Sequence, residues 1–188
     1  MRRAIRQSLV GLATALDARH AGTVGHADRV GAWCGRLAVA LDLPGADVEG
    51  LYYVGRLHDI GTVALSEAVL LKRRPLTPEE WAHVRRHPVV GAQILAPFDF
   101  CAAAALAIRH HHERWDGSGY PDGLRGEAIP LAARVVAVAD VFDALVSARP
   151  YRPAWSMDDA LTHLEAEAGR ALDPALVAAL VDLVRHRR

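Results

Sequence analysis

The chain has 188 residues with equal numbers of acidic and basic side chains, and 52% of its residues are hydrophobic. This length suffices for one domain with a sizeable core, and the composition excludes a disordered chain and offers no overall charge for binding DNA, RNA or an anionic membrane. Cys34 and Cys101 are the only cysteines and form no CxxC pair, which argues against a disulfide framework and a thiolate zinc site.

The first segment predicts an amphipathic helix. Its apolar residues follow steps of four and three, the seam spacing of a coiled coil, at Ile5, Leu9, Leu12 and Leu16. This stripe either forms a homodimer or packs on the chain's own core. The segment has no sustained apolar core and no cleavage site of a secretory signal, and no run has the length of a membrane span. We therefore expect a cytoplasmic protein without membrane insertion.

Apolar residues recur at helical spacing along almost all of the remaining chain, and alternating β patterns are scarce. Thr77, Pro78 and Glu80 form a capping-box sequence at a helix start, and Asp173 caps another before Pro174. One expected helix runs through Val30, Trp33, Leu37 and Leu41 and stops near Pro44 and Gly45. Further helices are expected over 47–58, from Thr77, over 98–111 and over 131–145. Ser156 and Asp159 open another, and the last begins at Asp173 and turns its apolar residues inward: Leu176, Val177, Leu180, Val181 and Val184.

Residues 114–130 contain too many glycines and prolines for a helix. The segment is about as long as loops without secondary structure become in compact domains, and Trp115 and Tyr120 indicate that it packs. The chain has no internal repeat and no linker that would divide it. We predict an all-α fold: a helix over 1–22 that links or dimerises, then a single helical bundle over 23–188 with this one long ordered loop.

Asp140 lies within RVVAVADVFDALV, an otherwise apolar helix. A buried carboxylate without a cation or hydrogen bonds costs several kcal/mol, so a positive charge should lie beside it. Metal ions held by imidazoles would supply that charge. The candidate partners, at predicted helix ends or core-facing positions, are His26, His58, Asp59, His87, His110, His111 and His112.

Adjacent pairs among these candidates indicate how many ions they could hold. Neighbouring residues of a helix point about 100° apart, so both members of His58 and Asp59, or of a histidine pair, rarely reach one ion. They can reach two ions a few ångström apart with a carboxylate between them. The spacing therefore favours a dinuclear site over a single zinc ion.

Two motifs carry a resemblance to a known family. HDIG occupies residues 58–61, and HHERWDGSGYPDGLRGEAIPLAARVVAVADVFDALVSARPYR occupies residues 111–152. Together they closely resemble the HD-GYP domain family, bacterial cyclic di-GMP phosphodiesterases within the HD superfamily of metal-dependent phosphohydrolases. The HD pair alone is a weak signal, whereas HD with the long second motif is very specific. The similarity extends from Gly25 to Val177.

The resemblance implies an HD-type helical bundle that binds two divalent ions, most often iron or manganese in relatives. Imidazole and carboxylate ligands fit both metals and leave zinc and nickel open. The implied metal ligands are His26, His58, Asp59, His87, His111, His112 and Asp140. Asp59 would bridge the ions, and His110 falls where the family is variable. Relatives with a third ion have a carboxylate at the position of Gly22, which has no side chain, so two ions are expected.

The implied reaction is hydrolysis of cyclic di-GMP to pGpG, and onward to GMP. Two cations would lower the pKa of a bridging water, hold a phosphate oxygen and neutralise the charge that develops. The family places basic residues at the substrate phosphates, here Arg149 and Arg152, and a guanidinium suits that task. The alternative for these two is a solvated basic turn. A related cyclic dinucleotide, such as a cyclic GMP-AMP hybrid, is a second substrate hypothesis.

The GYP residues themselves are Gly119, Tyr120 and Pro121. The resemblance implies that their loop lies near the mouth of the active site and docks partner proteins, notably diguanylate-cyclase domains. The alternative is that aromatic side chains such as Trp115 and Tyr120 pin a long loop to the body of the domain. The two interpretations are compatible.

Thr62 is the main departure from the family, which usually reads HDIGK where this chain reads HDIGT. A lysine would place an ammonium beside the scissile phosphate, where the transition state needs positive charge. Asp59 and Thr62 are therefore the catalytic positions to examine. Thr62 also leaves an alternative open: a weakly active or inactive module that senses cyclic dinucleotides or binds another protein.

Overall fold

A computed structural model describes residues 2–19, 25–72, 74–148 and 152–186. Their helices are α1 (Arg2–Ala18), α2 (His26–Ala40), α3 (Gly45–Leu57), α4 (Glu67–Leu70), α5 (Pro78–Val84), α6 (His87–Leu95), α7 (Ala102–His110), α8 (Leu131–Val146), α9 (Met157–Glu167) and α10 (Pro174–Arg185), with 3₁₀ segments at Ile60–Ala64, Asp99–Cys101 and Gly126–Ala128. These residues form no β-strand, which confirms the all-α prediction. None of the described helices combines the length and apolarity that a membrane span requires.

Local cap sequences start α5, α9 and α10 where these helices were expected. The Thr77 hydroxyl accepts the Glu80 amide proton and the Glu80 carboxylate accepts the Thr77 amide proton, so the capping box is complete. Asp173 caps α10 through the amides that follow it. The predicted helix 98–111 is divided into a 3₁₀ turn and α7, and α6 was not predicted as a separate helix. Pro88, in the first turn of α6, is a helix-start signal that could have revealed it.

Helix α8 lies at the centre of the bundle, in contact with α2, α3, α7, α9 and α10. Its residues Val135, Val136, Val138, Ala139 and Phe142 have no exposed surface. A helix that is apolar around most of its circumference is buried on most sides. The acidic side chains of α8, Asp140 and Asp143, therefore lie among the neighbouring helices.

The apolar stripe of α1 packs on the chain's own core through Leu9, Ala13 and Leu16, which are buried. Leu12 is the exception, because 40% of its surface is exposed. The buried face therefore runs through Ala13 rather than through Leu12. A homodimer through α1 stays a prediction.

Gly61 allows the 3₁₀ segment Ile60–Ala64 to approach the start of α6 closely. A Cβ atom added at Gly61 would lie 1.9 Å from the carbonyl oxygen of His87 and 2.6 Å from the amide nitrogen of Gly91. Both obstacles are backbone atoms, which cannot move aside as a flexible side chain can. The close approach sets Asp59, two residues earlier, beside His87.

We expect Gly61→Ala to lower the free energy of unfolding by about 1–3 kcal/mol, because the added methyl group overpacks this contact. Denaturant unfolding followed by circular dichroism measures the change. Gly11→Ala in α1 is the matched control, since a Cβ there meets nothing within 4 Å, and it should be neutral or stabilising by up to about 1 kcal/mol. Equal stability of Gly61→Ala and the wild type would contradict the prediction.

Candidate metal centre

Two groups of potential metal ligands lie side by side in the bundle. In each group, one ligand atom per residue lies within 4.8 Å of those of the other members. The Asp59 group comprises Asp59, His87, His111 and His112, and the His26 group comprises His26, His58 and Asp140. These are the seven residues that the sequence resemblance implied, and the structure brings all of them together. Their role as ligands stays a prediction.

Helix ends and the turns beside them position most of these side chains. His26 begins α2, His58 follows the end of α3, and His87 begins α6. His111 and His112 follow the end of α7, while Asp140 lies within α8. Five helices or their ends therefore contribute candidate ligands to one place.

Asp59 stands between the two groups. Its Oδ2 lies 3.5 Å from His58 Nε2, and its Oδ1 lies 3.1 Å from His87 Nε2 and 3.8 Å from His111 Nε2. The two oxygens of one carboxylate therefore face different groups. His58 and Asp59 were predicted to reach different ions, and their membership of different groups agrees with that prediction.

The other adjacent pair does not divide in this way, because His111 and His112 belong to the same group. Their ring centroids are 4.1 Å apart. The expectation of a division rested on the roughly 100° spacing of a helix. Helix α7 ends at His110, and His111 is its C-cap residue with right-handed helical φ and ψ angles, so the rings of His111 and His112 lie in one group although His111 keeps a helical conformation.

Hydrogen bonds to backbone carbonyls orient three of the histidines. Nδ1 donates to an oxygen three residues earlier in His58 (Gly55, 2.7 Å), His87 (Val84, 2.8 Å) and His111 (Ile108, 2.6 Å). A carbonyl oxygen can only accept, so Nδ1 must carry the proton. In the neutral ring the Nε2 lone pair is then left for a metal, the arrangement typical of metal-binding histidines.

The nitrogen atoms that face the groups indicate that a cation fits there. His58 Nε2 is buried and has no hydrogen-bond partner within the described part of the chain. His87 Nε2 and His111 Nε2 lie 3.3 Å apart, and two neutral rings would direct lone pairs at each other. Buried polar atoms normally have partners. A divalent ion bound by imidazole and carboxylate would satisfy them.

Charge and burial shift the pKa values of the candidate histidines in different directions. Burial opposes protonation of His87, but its hydrogen bond to Asp59 raises its pKa above the usual value. Burial and the neighbouring histidines lower the pKa of His111 well below its usual value, and burial with His87 lowers that of His112 to about 4. These two rings are neutral at physiological pH. Burial opposes protonation of His26, but hydrogen bonds to Asp140 and Asp143 raise its pKa to about 10. An ion entering the His26 group must therefore displace a proton.

Asp143 is a residue at the site that the sequence analysis missed. Its side chain is only 1% exposed, and its Oδ2 lies 2.8 Å from His26 Nδ1. A signal was present, because Asp143 follows Asp140 by three residues and so shares one face of α8 with it. Both residues lie in the same apolar sequence, but only Asp140 was selected as a candidate.

A cavity of about 290 Å³ opens onto both groups. Ligands from each group line it, and Thr62, which is 8% exposed, contributes to its wall. Arg56 also lines the cavity, paired with Asp28. This arginine was not singled out by the sequence analysis, and the Asp28 carboxylate offsets its positive charge.

One of the two predicted phosphate-binding arginines falls within the described part of the chain. Arg149 lies outside the described residues. The guanidinium of Arg152 donates to the carbonyl oxygen of Ala144 and lies over the ring of Trp155, 5.3 Å from its centroid. Arg152 is not among the residues that line the cavity. A substrate-binding role for either arginine stays a prediction.

The GYP loop touches the metal centre through Tyr120. The tyrosine ring stacks on His112, with centroids 5.0 Å apart and an interplanar angle of 29°. The guanidinium of Arg85 lies 5.3 Å from the Tyr120 ring centroid. The Tyr120–Pro121 peptide is cis. The loop therefore packs through Tyr120 on the ring of His112, one of the candidate ligands.

Buried Glu113 anchors this loop. Its carboxylate accepts the amide protons of Asp122 (2.7 Å) and Leu124 (3.2 Å). Asp122 in turn pairs with Arg109 and with His110 Nε2, 2.8 Å from each. His110, Glu113 and Asp122 could by spacing hold an ion, but Arg109 and the two amides already satisfy the carboxylates. His110 thus holds the loop, while His111 and His112 belong to the Asp59 group.

We expect Glu113→Gln to destabilise the loop by about 1.5–3 kcal/mol, because an NH₂ group would then face a backbone donor in a buried position. Hydrogen exchange of residues 114–124 should accelerate, while exchange in α10 should not. Glu127→Gln, in the exposed 3₁₀ turn Gly126–Ala128, is the control and should leave exchange unchanged. Unaltered protection of the loop in Glu113→Gln would contradict this anchoring.

Residues 12–176 match the family model described as the HD domain. Over 178 residues the chain is 48% identical to the cyclic di-GMP phosphodiesterase response regulator RpfG of Xanthomonas campestris pv. campestris, covering 94% of this chain and 47% of RpfG. It is 40% identical over 168 residues to 3'3'-cGAMP-specific phosphodiesterase 3 of Vibrio cholerae, covering 88% of this chain and 36% of that protein. The chain thus spans less than half the length of these two relatives.

Two solved structures share the fold. The cyclic GMP-AMP-specific phosphodiesterase V-cGAP3 of V. cholerae superposes with a TM-score of 0.73 at 23% identity, covering 96% of this chain and 48% of that one. Bd1817, an HDG"Y"P protein of Bdellovibrio bacteriovorus, gives a TM-score of 0.68 at 23% identity, covering 85% and 51%. These similarities establish the helical architecture.

Proposed function

The chain belongs to the HD domain family and, within it, to the HD-GYP proteins, and from this premise we propose that it is a metal-dependent phosphodiesterase that hydrolyses cyclic di-GMP. The observation that carries the proposal is Asp59, whose two oxygens face two adjacent groups of ligand atoms. That arrangement suits two ions a few ångström apart. The names of the relatives support the activity and the substrate class.

The ligands support iron or manganese as the pair of ions, with imidazole nitrogens and carboxylate oxygens and no cysteine in either group. When bound, two such ions would supply an activated water and neutralise charge on the phosphate. Asp59 would hold both ions. The carbonyl-bound histidines would keep Nε2 directed at them.

The product follows from the chemistry of a cyclic dinucleotide. Hydrolysis of one phosphodiester opens the ring to linear pGpG, and hydrolysis of the second gives GMP. Bound metal ions would supply an activated water for both steps, so no side chain need form a covalent bond to phosphorus. We propose pGpG as the first product and GMP as the second.

Two other interpretations have particular observations behind them. A cyclic GMP-AMP hybrid is the second candidate substrate, because relatives at 36% and 40% identity are named as specific for 3'3'-cGAMP. A weakly active sensor is suggested by Thr62. Hydrolysis is favoured over pure sensing because the relatives are named as phosphodiesterases. Docking of a diguanylate-cyclase domain at residues 119–121 stays a prediction.

The deciding experiment begins with chain purified without oxygen and analysed for metal content. The metal-free chain, and chain reloaded with Fe²⁺ or Mn²⁺, are then given cyclic di-GMP or 3'3'-cGAMP, and products are separated by chromatography. We expect pGpG only from reloaded chain and faster turnover of cyclic di-GMP. Turnover by the metal-free chain would overturn the mechanism, and preference for cGAMP would overturn the substrate.

A further inference from the structure

Asp143 lies behind the metal centre and binds two partners with its two carboxylate oxygens. Oδ2 lies 2.8 Å from His26 Nδ1, and Oδ1 lies 2.6 Å from Arg29 Nε. Arg29 Nη2 adds a second contact to Oδ2 at 3.1 Å. The carboxylate is buried and the arginine is 42% exposed, so the chain Arg29–Asp143–His26 runs from the surface to the ligand ring.

His26 is distinguished from the other oriented histidines by this partner. In His58, His87 and His111, Nδ1 is held by a neutral backbone carbonyl. A carboxylate accepts a stronger hydrogen bond than a carbonyl and makes the opposite ring nitrogen a better electron donor to a metal. Nε2 of His26 faces Asp140 Oδ1 at 3.3 Å, on the side of the His26 group.

A purely structural role does not account for a charge at this position. Burying an ion pair is often no more stabilising than apolar packing of similar volume. The surroundings in α8 are apolar, because Val138, Ala139 and Phe142 are fully buried in the same part of the helix. A carboxylate oriented by two N–H groups of Arg29 does what an apolar residue cannot, since it fixes the direction and electron density of the His26 ring.

We propose that Asp143, held by Arg29, is a positioning residue that strengthens metal binding by His26. The metal affinity of the His26 group therefore depends on a contact that the Asp59 group lacks. Removing it should weaken one ion selectively. Outer hydrogen-bond partners of metal-binding histidines typically change metal affinity by about 10–100-fold. The inference rests on the two-ion centre proposed above.

The test is titration of the metal-free chain with Mn²⁺, with free Mn²⁺ measured by electron paramagnetic resonance. The wild type should bind two ions, and Asp143→Asn should bind one of them about 10–100-fold more weakly while the other is unchanged. His26→Ala identifies the affected ion, and adding Asp143→Asn to His26→Ala should weaken binding no further, because the two changes act through one contact.

Ser147→Ala is the matched control, since its hydroxyl lies 3.4 Å from Asp143 Oδ1 but does not contact His26. It should bind both ions as the wild type does. If Asp143→Asn fails to fold, Arg29→Gln replaces it, and it should weaken the same single ion. Wild-type affinities in the variant used, or equal weakening of both ions, would overturn the inference. Fewer than two ions in the wild type would overturn the two-ion centre itself.

Discussion

The Asp59→Asn variant is expected to lose hydrolysis of cyclic di-GMP, with kcat/KM reduced by at least about 10³-fold. Asp59 is the one described residue whose oxygens approach histidines of both groups. An asparagine keeps the shape but replaces one carboxylate oxygen by an NH₂ group, which cannot bind a cation. Loss of a metal-supported reaction path removes several kcal/mol of transition-state stabilisation, which corresponds to a rate change of this size.

Metal content and steady-state rates, measured on the same preparation, check this expectation. Asp59→Asn should hold at most one ion, whereas the wild type should hold two. Asp182→Asn changes the same charge on the exposed face of α10 and should leave both quantities unchanged. A variant Asp59→Asn that retains two ions and normal turnover would remove the basis for the proposed mechanism.

The Thr62→Lys variant is expected to raise the rate of hydrolysis on the order of 10²-fold, the effect of restoring one preorganised charged donor. Thr62 lines the cavity beside the metal ligands and is almost fully buried. The cavity of about 290 Å³ gives the longer side chain room to extend toward a bound phosphate. Metal content should not change, because the variant keeps all seven candidate ligands.

Single-turnover rates with saturating cyclic di-GMP measure this effect without a contribution from product release. Val63→Lys is a close control, since it adds the same charge one residue later on a side chain that is 42% exposed. It should leave the rate near that of the wild type. A wild-type rate typical of efficient enzymes, with no gain in Thr62→Lys, would show that the missing lysine does not limit this protein.

The sequence was sufficient for features that depend on a few neighbouring residues. The capping box at Thr77 and the helix start at Asp173 are of this kind, because each hydrogen bond joins residues two or three positions apart. The seven candidate ligands were implied by the family resemblance, which rests on the motifs at His58 and His111, and the charge of Asp140 in an apolar helix was a separate signal. These signals need no knowledge of how the helices pack.

The tertiary structure alone decided how those residues are divided and what supports them. His26 and Asp143 are 117 positions apart and meet only because α2 packs on α8. Two consecutive histidines, His111 and His112, meet in one group just after α7, and the return of the loop brings Asp122 back to His110. Such contacts depend on where whole helices cross and end, and the local periodicity of a sequence specifies the buried face of a helix without specifying its neighbour.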